Sequence, residues 1–301
     1  MTGGAPLVSV VIPTYNRRAF LAEAVHTVLA QTCADLELIV VDDGSTDHTA
    51  PMVEGVADPR VNLISLRHSG SPARARNAGI ERARGRYIAF LDSDNLWEPS
   101  KLEDQLAALA ARPECRWCHT GQRCIDEIGA PHPWSPLPRL ASEGWIVEPL
   151  LRRRMGVNGS SVLVDSAFLR EIGGFDETFV WGEDYDLWVR LALRSPIACV
   201  PGARLQHRIH ANQFTRLSRP LIRQAPQVSV LRTLAKTARS APSWRLRLLA
   251  AREMFKVGTL LVSRRARALV RRSSRRQADP LGAGAVDNAR EAHYHHSWTV
   301  R

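Results

Sequence analysis

The chain of 301 residues has no apolar run of the ~18 residues that a membrane-spanning helix requires. Its N-terminal segment, MTGGAPLVSVVIPTYN, lacks the basic start of a secretory signal and runs straight into a strand-like stretch. Together these absences give the expectation of a cytoplasmic protein, in which thiols stay reduced. Cysteine is scarce, at five residues. Acid is scarce only in the back of the chain. Residues 217–301 hold 18 Lys+Arg against 4 Asp+Glu, net +14, whereas residues 1–216 hold 23 against 26, net −3. These counts imply a near-neutral globular body followed by a basic extension. A hydrophobic content of 45% and an aromatic content of 6% fit a soluble globular protein.

Short apolar segments then alternate with helical patterns over the first 125 residues. Strands are expected at Leu7–Ile12, Leu36–Val41, Val61–Leu66 and Tyr87–Leu91. Helices are expected at Ala19–Ala30, from about Asp47, at Pro72–Ala83, and at Pro99–Ala111, where Pro stands near the first turn. Continuous apolar strands alternating with helices indicate a mostly parallel sheet covered on both faces. In such sheets the ligand lies beyond the carboxyl ends of the strands.

Polar and acidic groups gather at those ends. The first strand runs into Pro13-Thr-Tyr-Asn-Arg17, the second into Asp42-Asp-Gly-Ser-Thr-Asp47, and the fourth into Asp92-Ser-Asp-Asn95. Singly each has a plain structural reading; Asp42–Asp47, for example, suits a turn leading to a helix cap. Three together on one rim point to a site. Asp92 and Asp94, one residue apart, repel unless hydrated or bridged by a cation. A hard ion such as Mg²⁺ or Mn²⁺ suits such oxygens and brings phosphate and water as its remaining ligands.

The motifs PTYNR (13–17), VDDGSTD (41–47), RARNAGIERARGRYIAFLDSDN (74–95) and WGEDYDLWVRL (181–191) resemble those of the family 2 glycosyltransferases, which have the GT-A fold, over about residues 7–216. The resemblance implies an α/β nucleotide-diphospho-sugar transferase fold with a mostly parallel central sheet. It implies that Pro13 and Tyr15 line the base of a sugar nucleotide, with the Tyr15 ring stacked on it. Asp43 matches the carboxylate that accepts from the base imide N–H, which favours uracil. Arg76 matches a position near the base and diphosphate, and His68 stands where many relatives have Asn. Asp92 is similar to the residue that bonds the ribose or a metal-bound water, with Ser93 beside it, and Asp94 to the direct ligand of Mn²⁺ or Mg²⁺. Asp184 matches the general base, supported by Glu183, although acids in the first turn of a helix also suit its dipole. The segment His207–Arg216 resembles the one that closes over diphosphate and metal, making His210 a candidate ligand and Arg208 and Arg216 phosphate candidates.

The expected organisation is thus a GT-A domain at 1–216, split into a nucleotide-binding half (1–125) and an acceptor half (126–216). A basic helical extension (217–278) and a disordered tail (279–301) follow. Trp134 and Trp181 are candidates for stacking on a sugar, against the plainer reading of buried aromatics. Cys115-Arg-Trp-Cys-His119 matches a haem-attachment pattern, but attachment needs export, and a zinc site lacks a second paired half. Small buried thiols are expected there. Trp244, Leu248 and Phe255 fall on one side of a helical pattern, with Arg245, Arg252 and Lys256 on another. That helix suits either an anionic membrane surface or packing on its own domain; nucleic acid is disfavoured for want of any motif.

The function expected is inverting, metal-dependent transfer from a nucleotide-sugar, UDP-linked by preference, to a saccharide or lipid-linked acceptor, on the inner face of the cell membrane. The alternatives are a nucleotidyltransferase on a similar scaffold and a non-catalytic nucleotide-sugar-binding or membrane scaffold protein.

Overall fold

The computed structural model describes residues 4–133, 142–211, 213 and 225–259. Trp134, Arg216 and the tail at 279–301 lie outside the described residues. The chain opens with β1 (Val8–Thr14), α1 (Arg18–Leu29), β2 (Leu36–Asp42), α2 (Thr49–Glu54), β3 (Val61–Ser65), α3 (Pro72–Arg82) and β4 (Tyr87–Phe90). It continues through β5 (Leu96–Trp97), α4 (Lys101–Ala111), β6 (Trp117–Ile125), α5 (Val147–Leu151), β7 (Leu163–Asp165), α6 (Ser166–Ile172), α7 (Glu183–Ala192) and β8 (Ile197–Arg208). Two further helices are α8 (Ala225–Ser240) and α9 (residues 244–259).

One eight-stranded sheet runs β3-β2-β1-β4-β7-β6-β8-β5. Its first four strands are parallel, with Thr14 opposite Asp42 and Val11 opposite Phe90. β7 pairs antiparallel with both β4 and β6, and β5 antiparallel with β8, while β6 and β8 are parallel. The expected strand alternation therefore holds for the first half, and the second half is mixed.

β1, β2 and β4 are mostly apolar and buried because helices cover both faces of the sheet there. Val10, Ile12, Leu38, Val40 and Ala89 join one core with Leu21 and Val25 of α1 and Leu102 of α4. Val11, Ile39, Val41, Ile88 and Phe90 point the other way, to a core with Ala73 and Ile80 of α3, Leu187 and Leu191 of α7, Leu234 of α8 and Val257 of α9. Successive residues of one strand serve opposite cores, as the period of two requires. α3 lies close on β1: a Cβ at Gly79 would stand 2.3 Å from Val11 Cγ1.

Gly159–Ser161 forms a 3₁₀ turn, in which Ser160 N–H donates to the Asn158 side chain, and β7 starts just after it at Leu163. β8 is a 12-residue strand that runs as far as Arg208.

Packing of the basic region is two-sided. α8 docks on α7, where Lys236 and Thr233 bond Asp186. α9 turns Ala250, Glu253 and Val257 inward and leaves Trp244 (69% exposed), Leu248 (62%) and Phe255 (73%) outward. Among the described residues no helix is long and apolar enough to cross a membrane.

Candidate active site

The carboxyl ends of β1, β2 and β4, the start of α7 and the end of β8 converge on one cleft of about 1410 Å³. Pro13, Tyr15, Asp43, His68, Arg76, Asp92, Ser93, Asp94, Glu183 and Asp184 all line it. Arg208 and His210 stand behind its rim and outside its lining.

At the β1–β2 end the Tyr15 ring is half-exposed and stacks on His68, with centroids 4.0 Å apart. Asp43 is buried, and its carboxylate accepts from Ser69 N (3.0 Å), Ser69 Oγ (2.9 Å) and Gly70 N (2.8 Å). His68 Nδ1 lies 2.8 Å from the Asp43 carbonyl oxygen. The loop comes this close because residue 44 is Gly at φ +78, where a Cβ would sit 2.8 Å from His68 N.

At the tip of β4 the loop is held from beneath. Ser160 Oγ accepts from Asp92 N (2.9 Å) and from the Asn95 amide (3.0 Å). Asn95 Oδ1 in turn accepts from Arg208 N (3.0 Å). Arg208 itself is 0% exposed. Its guanidinium donates to the carbonyls of Asp94 (3.0 Å) and Glu127 (2.6 Å) and to the Glu23 carboxylate (2.7 Å), and it lies over the Phe20 ring. The expectation that Arg208 reaches a phosphate is therefore corrected: its donors are engaged and no face is open, so it fixes the Asp94 loop.

Asp94 meets the Arg17 guanidinium and the His210 imidazole. Its Oδ2 lies 2.7 Å from Arg17 Nη1 and 3.1 Å from His210 Nε2, and those two nitrogens are 2.9 Å apart. One imidazole nitrogen cannot donate to Asp94 and accept from Arg17 at once. The Arg17 guanidinium, the Asp94 carboxylate and the His210 imidazole therefore meet at one point, with Arg17 bringing fixed positive charge to it. Burial works against ionised Asp94, but the His210 hydrogen bond and the Arg17 charge outweigh it and hold the carboxyl below its usual range. One carboxylate and one imidazole fit a Mn²⁺ or Mg²⁺ ion completed by diphosphate and water. Among the described residues no group of three or more metal-ligating side chains occurs, so protein atoms alone make an incomplete cage.

Arg76 ties the two acidic clusters together. From α3 it donates to Asp92 (2.8 Å) and to Glu183 (2.8 Å), residues of the third and fourth motifs. The three acids in the first turn of α7 have separate fates. Asp186 is fully buried against Arg190 and Lys236 on the α8 side. Glu183 is ion-paired, and among the described residues Asp184 accepts only from the neighbouring Tyr185 N–H (2.7 Å). Burial, with the Glu183 charge adding to it and Arg76 opposing, pushes the Asp184 carboxyl up to about 6. The site therefore keeps one carboxyl firmly ionised at Asp94 and one poised nearer neutrality at Asp184.

Trp181 and His119 also line the cleft. His119 is buried, bonds the Ser142 carbonyl (2.8 Å), and is held below its usual pKa by that burial. Cys115, Cys118 and Cys124 are buried, as expected. Sequence reasoning gave no role to Arg17, Arg153 or Arg154, all three of which line the cleft. Arg17 ends the first motif, a signal that was present; the arginines at 152–154 carry no motif.

Residues 9–170 match the model of Glycosyl transferase family 2. The putative teichuronic acid biosynthesis glycosyltransferase TuaG of Bacillus subtilis is 42% identical over 133 residues, 44% of this chain and 52% of TuaG. WfgD of Escherichia coli, a UDP-Glc:alpha-D-GlcNAc-diphosphoundecaprenol beta-1,3-glucosyltransferase, is 30% identical over 220 residues, 71% of this chain and 83% of WfgD. The crystal structure of S. aureus TarS 1-349 in complex with UDP-GlcNAc superposes with a TM-score of 0.65 at 18% identity, covering 82% of this chain and 71% of that one. The mannosyltransferase PcManGT from Pyrobaculum calidifontis, solved with GDP-Man and Mn²⁺, superposes with a TM-score of 0.61 at 18% identity over 92% and 82%. The last two likenesses establish the fold, that of GT-A glycosyltransferases. The chain belongs to the family 2 glycosyltransferases. It spans about half the length of TuaG.

Proposed function

We propose that this protein transfers a glycosyl unit, with inversion, from a UDP-linked sugar to an acceptor hydroxyl in glycoconjugate or polysaccharide biosynthesis. The observation that carries the reading is geometric: partly buried Asp184 shares one cleft with Asp92 and Asp94 at the tip of β4 and with the Tyr15–Asp43 end, and desolvation there pushes its carboxyl up to about 6. A base near neutrality combines the deprotonated form needed with a useful driving force for taking a proton. Residues 1–216 would form the catalytic domain and 217–278 a basic extension.

In this reading Tyr15 and Pro13 face the base and Asp43 accepts from its imide. His68, stacked under Tyr15, extends that platform. Asp92 and Ser93 face the ribose and diphosphate, with Arg76 fixing the Asp92 carboxylate. Asp94 and His210 would hold the divalent ion, whose charge neutralises the departing diphosphate. Arg208 keeps the Asp94 loop in place. Glu183 anchors Arg76 and, by its charge, helps keep Asp184 basic. Asp184 removes the proton from the acceptor hydroxyl as that oxygen attacks the anomeric carbon opposite the leaving UDP. Named relatives act in teichuronic acid biosynthesis and on a diphosphoundecaprenol-linked sugar, which supports a saccharide or lipid-linked acceptor.

The test is a UDP-release assay over a panel of UDP-sugars with Mn²⁺, with the product anomer read by NMR. Inversion, and a rate loss of about 10²-fold or more in Asp184→Asn, are expected. A retained anomer or an unaffected variant would overturn the mechanism.

A second reading concerns location. Trp244, Leu248 and Phe255 form one exposed apolar stripe on α9, flanked by Arg245, Arg252 and Lys256, opposite the face that packs on the domain. An apolar stripe with a basic margin suits peripheral binding to an anionic bilayer.

A further inference from the structure

We infer that Arg153 and Arg154 form an anion subsite in the acceptor half of the cleft, which takes a phosphate of a prenyl-diphosphate-linked acceptor. The word acceptor rests on the glycosyl-transfer reading above; the anion subsite itself rests on the following geometry.

Both arginines line the cleft. They follow α5, which is tied to the helix bearing Asp184 by the Tyr185 hydroxyl donating to the Leu150 carbonyl (3.2 Å). The segment leading into α5 is tied to β8 by the Gly144–Ile197 bridge and to β6 by His119 at the Ser142 carbonyl, strands that lie on the other side of β4 from β1 and β2. The other arginines of the cleft are engaged: Arg17 with Asp94, and Arg76 with Asp92 and Glu183. Among the described residues neither Arg153 nor Arg154 has a side-chain hydrogen bond or an ion pair. Among the described residues Arg153 Nε is buried without a hydrogen-bond partner, and so is the indole Nε1 of Trp188, which stands one turn after Asp184 and lines the same cleft. Buried donors without acceptors are uncommon in folded proteins.

The turn that carries the pair holds Arg153 at φ +55, a region that long side chains seldom adopt. The wall continues in the apolar side chains of Met155 and Val157. Unmatched donors of fixed positive charge beside apolar surface call for an anionic head on an apolar carrier. Two adjacent guanidinium groups suit the several oxygens and multiple charge of a diphosphate better than a single carboxylate.

The test is calorimetric titration of citronellyl diphosphate into full-length protein already saturated with UDP and Mg²⁺. Citronellol and glucuronate serve as neutral and carboxylate probes. The diphosphate should bind at least tenfold more tightly than either. Arg154→Gln, an exposed position, should weaken it about tenfold, and Arg153→Gln/Arg154→Gln about a hundredfold, with melting curves confirming that the variants fold. The proposal is overturned if the wild type does not prefer the diphosphate, if neither variant weakens it, if glucuronate binds better, or if saturating UDP displaces it. The UDP titration that precedes it reports separately on the donor reading: loss of UDP binding with arginine-dependent diphosphate binding intact would sink the donor site and leave this subsite standing.

Discussion

Replacing Asp184 by Asn should make the protein more stable while making it inactive. The Asp184 carboxyl is pushed up to about 6 from an ordinary 3.8, chiefly by burial. In the unfolded chain it ionises near the ordinary value. Between those two pH values the folded protein keeps a proton that the unfolded chain has lost, so stability falls as pH rises through the window. Above it the loss is complete, about 3 kcal/mol for about two pH units. Asn does not titrate and can still accept from Tyr185 N–H. The variant should therefore match wild type near pH 3.5 and exceed it by up to about 3 kcal/mol at pH 8. In a chain of this size that is roughly 6–12 °C in melting temperature. Paired melting curves at the two pH values give the difference directly, since other titrating groups are common to both proteins. A variant less stable than wild type at pH 8, or a difference that does not change with pH, would refute the assignment of a desolvated, poised carboxyl.

Three further outcomes follow from other parts of the molecule. Lys101 is fully buried over the Trp97 ring, and burial pushes its ammonium down to about 7; the unfolded chain then binds the extra proton between pH 7 and about 10, so stability should rise with pH across that range. Lys101→Met should flatten that rise, worth up to about 4 kcal/mol, in denaturant melts at pH 7 and 10, and an unchanged slope would contradict it. Gly79→Ala places a Cβ 2.3 Å from Val11 Cγ1 and should cost about 2–3 kcal/mol in the same melts, where a neutral effect would mean that α3 moves freely on β1. Serine at Trp244, Leu248 and Phe255 together should leave the melting temperature near wild type, because these side chains are exposed, while lowering sedimentation with anionic phospholipid vesicles at least tenfold; equal sedimentation would end the membrane reading.

The first half of the fold was legible because its strands are short, mostly apolar runs, each ending in turn residues. The acids at the strand tips were legible for the same reason: a short distance along the chain fixes where they stand. The partners of those acids were not. Arg17 reaches Asp94 across 77 residues, Arg76 reaches Glu183 across 107, and Arg208 reaches Glu23 across 185. Such pairings depend on how the elements pack, and periodicity carries no trace of them. Arg208 shows the consequence: an arginine close to a site motif looked like a phosphate ligand, and its burial made it a support for the Asp94 loop. The second half of the sheet was less legible because β7 is three residues long and β6 is interrupted at Gly121, where its register with β8 shifts. The exposed stripe of α9 was visible as a helical pattern, but which face packs on the domain required the positions of Ala250 and Val257.

The central claim is that this cleft binds a nucleoside diphosphate through a cation held at Asp94 and His210. The most direct test is calorimetric titration of UDP into the protein with and without Mn²⁺, for wild type and Asp94→Asn. The account expects UDP affinity to rise at least tenfold with Mn²⁺ in wild type and not to respond to Mn²⁺ in the variant. UDP binding that ignores Mn²⁺ in both proteins, or that responds equally in both, would contradict it.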